Sequence, residues 1–181
     1  MAKKNQGHQN PTRFDSLEDI GLYNEDTKAS LMHYFNGILE GEVVPESKKH
    51  LTESEVKELL NRCLDEIDAR SCLILLTFIE SQFRLHYQGR SKTQRKIRAE
   101  LKKKHGSANR EKITHPSLED DLFGAWKKIL PGEAFFFGNL KTFFKYRHWM
   151  AHGRYFILAS NKPDHDGLFL IAQKVVELCK I

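Results

Sequence analysis

Arg147, His148 and His152 place three arginine or histidine side chains within six residues, in the segment Lys145-Tyr146-Arg147-His148-Trp149-Met150-Ala151-His152-Gly153-Arg154-Tyr155. Histidine gives and takes a proton near neutral pH. Arginine offers a permanent positive fork that matches a phosphate. Together these groups are the minimum set for cutting RNA without a metal. A base deprotonates the 2′-hydroxyl, which attacks the adjacent phosphorus. The guanidinium stabilises the charge that builds up there, and an acid protonates the departing 5′-oxygen.

Spacing constrains how the set can work. Arg147 and His152 are five residues apart, about 140° around an ideal helix. They do not stack, so either the helix distorts near Gly153 or the two flank a groove and reach inward. Separate acid and base roles also need two groups. Two copies of the chain would bring two Arg147 and two His152 side chains together, which predicts a homodimer with a composite site.

His148 and His152 also stand at i and i+4, the spacing at which two imidazoles can share a metal ion. The zincin pattern needs glutamate directly after the first histidine, and here Trp149 occupies that place. A third ligand would have to come from Glu80 or from Asp164, His165 or Asp166, and Asp164-His165-Asp166 reads as a solvated turn. The favoured chemistry calls for no metal and no cofactor. The chain has neither a glycine-flanked nucleophilic serine nor an evident cysteine–histidine pairing, which argues against a protease or esterase.

The elements that must position these residues are helical. At 181 residues, 40% hydrophobic and 29% charged, the composition is that of an ordinary globular domain. The first residues lack the apolar run of a secretory signal, and no stretch is long and apolar enough to span a bilayer. Cys63, Cys72 and Cys179 are odd in number and widely spaced, which predicts reduced thiols on apolar helix faces. These features predict a cytoplasmic protein. The net charge of +5 is concentrated: residues 90–112 hold ten Lys or Arg and two acids, net +8, and the remainder is −3. Such an element predicts a surface facing a polyanion.

Residues 1–25 read as a flexible segment and 26–181 as a single helical domain. Asp26 is the expected cap of a helix over 27–39. Thr52 and Glu55 form a capping box that opens residues 53–88, with a break expected near 65–70 and a stop at Gly89. Residues 72–83 are apolar on nearly every face, the mark of a central buried helix. The basic stretch 92–104 is expected to be helical up to Gly106. Ser117 is the expected cap of the next helix, with Asp120 at its third position. Residues 133–151 read as a long helix with Phe135, Phe136, Leu140, Phe143, Phe144 and Met150 in the core. A last helix over 170–180 is favoured over short strands at 155–159 and 168–171. The sum is an all-α antiparallel bundle of about five to seven helices.

The pattern Arg147-x4-His152-Gly153 near the end of a late helix resembles the HEPN superfamily, whose members often carry a polar residue after the arginine, here His148. Glu80, in the most apolar helix, matches the acidic residue that the family often presents to this motif. An unpaired carboxylate there is costly, so Glu80 needs a partner, and Arg147 and Arg84 are the two candidates. The resemblance implies a helical, often dimeric, metal-independent ribonuclease, with Arg147 and His152 catalytic and His148 and Glu80 assisting. It also implies a toxin or anti-phage effector restrained by an antitoxin or another regulatory protein. Arg84, Arg95, Lys96, Lys102, Lys103, Lys104, Arg154 and Tyr155 are the expected RNA contacts. The alternative is a non-catalytic RNA-binding or protein-interaction module, in which Arg147 is a structural ion pair and His152 meets the last helix carbonyls.

Overall fold

The computed structural model describes residues 16–42, 45–153 and 162–180. Within them run seven α-helices and no strand: α1 (Leu17–Leu39), α2 (Glu53–Gln88), α3 (Lys92–His105), α4 (Arg110–Thr114), α5 (Phe123–Ile129), α6 (Ala134–Ala151) and α7 (His165–Cys179). The fold is the all-α bundle that the patterning predicts. None of these helices is long and apolar enough to cross a membrane.

The first helix starts well before Asp26. Ser16 accepts from the Asp19 amide at 3.1 Å and its own amide donates to Asp19 Oδ2 at 3.0 Å, a complete capping box that satisfies two otherwise orphaned donors. Gly21 and Asn24 conceal the apolar pattern in sequence, yet both are packing residues. A Cβ on Gly21 would meet the Phe169 ring at 3.1 Å, and buried Asn24 accepts from the Ser71 hydroxyl at 2.7 Å. Residues 16–25 are therefore part of the bundle.

The expected break in 53–88 is absent. α2 is one helix of 36 residues, about 54 Å long. The Thr52–Glu55 box caps it as predicted. Its polar middle stays helical because the charges find partners: Arg70 meets Glu66 at 3.2 Å one turn away, and Lys28 of α1 reaches Asp68 at 2.5 Å. Gly89 ends the helix, and Arg98 of α3 donates to the Tyr87 and Gly89 carbonyls at 2.6 and 2.8 Å, filling acceptors that every helix end leaves open.

The main core gathers around an aromatic cluster. Phe83 of α2 is fully buried and lies 5.2 Å from the Phe123 ring, 6.1 Å from Trp126 and 6.1 Å from Phe137. Trp126 and Phe137 stack at 5.9 Å. These edge-on and stacked geometries suit the ring quadrupoles. A second, smaller cluster of Phe35, Ile38 and Val56 joins the far ends of α1 and α2. Of the residues assigned to the core of α6, Leu140 and Phe144 are buried and Phe136, Phe143 and Met150 partly so, but Phe135 is 80% exposed. It sits in the first turn, on the opposite side of the helix from Phe137.

Ser117 stands at the expected N-cap position, but its side chain makes no capping bond. Its amide instead donates to Asp121 Oδ2 at 2.9 Å, and the chain makes a π-helical turn at Leu118–Leu122 before α5. Asp121 is buried and also takes Lys104 and His105 at 2.7 Å each. Burial by itself pushes this carboxyl up, but the bonds from Lys104, His105 and the Ser117 amide outweigh it and hold Asp121 well below the usual carboxylate range. A depressed carboxyl contributes stability above its unfolded-chain value, and that stability is lost as pH falls through the folded one. Asp121→Asn is therefore expected to cost about 3 kcal/mol at neutral pH. The gap to wild type in urea midpoints should narrow below the ordinary carboxylate range; a constant gap would refute this linkage.

At the C-terminal end, α7 begins at His165, so 168–171 are helical and the favoured last helix starts five residues earlier than expected. Asp164 caps it by accepting from the Gly167 amide at 2.7 Å, and His165 is buried. Asp164-His165-Asp166 is thus a helix start rather than a solvated turn. Residues 155–159 lie outside the described chain. Cys72 is buried and Cys63 and Cys179 are half-buried, all three free. Burial pushes the Cys72 and Cys179 thiols up to about 12, which keeps them protonated and unreactive at neutral pH.

Candidate functional site

Ile79 and Phe83 are fully buried, and this fixes the rotation of α2 so that Glu80 and Arg84 come to the edge of the core. Arg84 Nε donates to Glu80 Oε1 at 2.7 Å, the i,i+4 geometry of a helix face. The second carboxylate oxygen, Oε2, accepts from Arg147 Nη1 of α6 at 2.5 Å. Glu80 thus has both candidate partners, one on each oxygen. Arg147 also lies over the Phe144 ring, 5.8 Å from its centre, a cation–π contact. Arg84 Nη1 reaches the Pro116 carbonyl at 3.5 Å. The Glu80 side chain is 17% exposed, Arg147 34% and Arg84 46%. The carboxylate is shielded while both guanidiniums keep solvent-facing edges. One carboxylate against two guanidiniums leaves a net positive charge at a fixed place, the electrostatic condition for receiving a phosphate.

His148 and His152 occupy the outer side of the same helix end. Both are exposed, and their rings lie 4.1 Å apart between centres. The His152 amide donates to the His148 carbonyl at 3.0 Å. Gly153 then turns the chain at φ +80°, a left-handed conformation that favours glycine. Neither imidazole takes part in a hydrogen bond or ion pair with the described residues. No such contact joins His152 to Arg147 either. The helix stays regular here, so the pair keeps the angular separation its spacing implies: Arg147 turns in towards α2, and His152 stays out beside His148.

Three hollows are lined by described residues alone. A hollow of about 510 Å³ lies between Leu17, Phe78 and Val176. Another of about 220 Å³ sits against Tyr146 and Trp149 on the far flank of α6. A third of about 290 Å³ lies between Leu101 and Ala125. Arg147 lines none of them. Among the described residues no three His, Cys, Asp or Glu side chains converge as a metal cage. His165, one suggested third ligand, is instead bonded to Asp166 at 3.0 Å.

The basic helix α3 has two kinds of cation. Gln94, Ile97 and Leu101 face the core. Opposite them, exposed Lys92, Arg95, Lys96 and Lys102 make no ion pair with the described residues. Lys103 is instead tied to Glu100 at 2.6 Å, and Lys104 to Asp121 at 2.7 Å. Arg98, as the cap on α2, is structural. Of the expected RNA contacts on α3, Arg95, Lys96 and Lys102 are therefore available, whereas Lys103 and Lys104 are engaged. Arg154 and Tyr155 lie outside the described residues.

Sequence reasoning missed Asp121, which links α3 to the turn before α5, while its neighbour Asp120 meets Lys141 of α6 at 2.7 Å. The available signal was the adjacent Asp120-Asp121 pair itself: the carboxylate that bonds the Ser117 amide is the second of the two, not the first. Comparison of the chain with protein-family models, with curated proteins and with solved structures gave no match in any of the three.

Proposed function

We propose that the chain is a metal-independent endoribonuclease of HEPN type. One observation carries this reading. Arg147 is held by Glu80 beside a second guanidinium, Arg84, while two imidazoles with no hydrogen bond or ion pair to the described residues stand at the end of the same helix. In the proposed reaction a substrate phosphate docks on the exposed edges of Arg147 and Arg84. His152 of one protomer, assisted by His148, removes the 2′-hydroxyl proton. An imidazole of the partner copy protonates the leaving 5′-oxygen. The separation of Arg147 from His152 within one chain supports a composite site across a homodimer, because a second copy can bring its imidazoles to the first copy's guanidiniums. A toxin or anti-phage role under an antitoxin or other regulator, in the cytoplasm, belongs to the same proposal.

The deciding experiment incubates the full chain with a mixed RNA pool and excess chelator, then sequences the cut ends. Cleavage that survives chelation and leaves 2′,3′-cyclic phosphates is the expected result. Cleavage that chelation abolishes, or ends bearing 3′-hydroxyls, would overturn the mechanism. The exposed basic face of α3 adds a second prediction. Replacing Arg95, Lys96 and Lys102 together by glutamine should weaken RNA binding and flatten the plot of log affinity against log salt by about 2 in slope for single-stranded RNA. Fluorescence anisotropy across a salt series measures it, and an unchanged slope would remove α3 from the interface.

A non-catalytic RNA-binding module is the second reading, and the Glu80–Arg147 bond itself favours it. A guanidinium already satisfied by a carboxylate from another helix is also a structural ion pair, tying α2 to α6. That reading predicts RNA retention by α3 with no cleavage under any condition.

A further inference from the structure

We propose that His148 and His152 form a two-imidazole chelate for a divalent ion of the zinc class, and that the bound ion blocks the site. Both side chains project from one stripe of α6 an i,i+4 step apart, and their ring centres are only 4.1 Å from each other. Two imidazole nitrogens on a tetrahedral zinc ion lie about 2.0–2.1 Å from the metal and so about 3.3 Å from each other. The ring centres of such a pair stand about 5 Å apart, so the two exposed side chains need to part by about 1 Å. No hydrogen bond or ion pair with the described residues has to break first. The carbonyls at the end of α6 place partial negative charge next to the ion. Imidazole selects borderline metals such as zinc, nickel and copper over magnesium or calcium.

With no third side chain in reach among the described residues, the remaining positions fall to water. The ion is therefore exchangeable and not a fold-holding cage. Its consequence for chemistry rests on the nuclease reading. An imidazole whose lone pair is on a metal cannot take the 2′-hydroxyl proton, so the ion inhibits and chelation releases activity.

Calorimetric titration of the full chain with zinc chloride tests the binding step, alongside His148→Gln, His152→Gln and His33→Gln; His33 is an exposed histidine on α1. Circular dichroism checks that each variant is folded. Losing an outer-shell partner already lowers metal affinity by about 10–100-fold, so losing one of two imidazoles should cost at least that. The expected result is a zinc site weakened to this degree in both α6 variants and unchanged in His33→Gln. Unaltered zinc affinity in either α6 variant, or no zinc uptake by wild type, would overturn the chelate. RNA cleavage read on the same samples separates the two proposals. Zinc-stopped, chelator-restored cleavage supports both. Zinc binding that depends on both histidines, with no cleavage in any sample, leaves the chelate standing and removes the nuclease.

Discussion

His152→Ala should lower RNA cleavage by about 10²–10⁴-fold, the usual contribution of one positioned acid or base. RNA affinity should stay within a factor of a few. The imidazole is exposed and bonded to nothing among the described residues, so its removal leaves no buried group unpaired. Stability should change by no more than about 0.5 kcal/mol, as for other surface substitutions. Single-turnover cleavage, anisotropy and urea denaturation on the same preparation separate the outcomes. If the histidine were merely a helix-end group, the signature would reverse: up to about 1 kcal/mol of stability lost with the helix dipole interaction and no change in any RNA readout. Arg147→Ala should also reduce cleavage, but with a stability cost, because one oxygen of Glu80 loses its partner while Arg84 still holds the other. A normal cleavage rate in His152→Ala would end the proposed mechanism.

Phe83→Ala should cost about 3–5 kcal/mol, the range for deleting a fully buried aromatic side chain. The ring lies between Phe123, Trp126 and Phe137, which belong to two other helices. Those neighbours cannot all close in on the void. A loss of this size is a large part of the stability of an ordinary domain, so the urea midpoint should fall sharply. Because Glu80 and Arg84 flank Phe83 on the same helix, the cavity should also loosen the guanidinium pair. Cleavage should then decline at temperatures where wild type is still unaffected. Phe83→Leu, which keeps most of the volume, should recover much of both losses. A midpoint shift worth less than about 1 kcal/mol would mean that the aromatic cluster does not organise this core.

Local chemistry made several elements readable in advance. Thr52 with Glu55 announced the start of α2, Gly89 its end, and Gly106 the end of α3. Each works through neighbours a few residues away, so the sequence contains the whole interaction. The apolar run of α2 likewise announced a buried helix without further information. The start of α1 was harder. Its capping box, Ser16 with Asp19, is just as local, but Gly21 and Asn24 contact Phe169 and Ser71 from distant parts of the chain. Residues that pack by being small or by sharing one buried hydrogen bond carry no hydrophobic signal.

For the candidate site, residue types and helix positions were determined by the sequence alone: a late helix bearing Arg147, His148 and His152, and an acidic residue in a buried helix. Helical periodicity already set His148 beside His152 and Arg147 away from them. Only the tertiary structure decided that Glu80 takes both Arg84 and Arg147, since that choice depends on how α2 and α6 are rotated against a shared core. It also decided which cations of α3 remain available. A charge run looks uniform in sequence, whereas Lys104 is withdrawn by a carboxylate 17 residues away and Arg98 by carbonyls at the end of another helix. Long-range partners are selected by packing, and packing is a property of the whole chain.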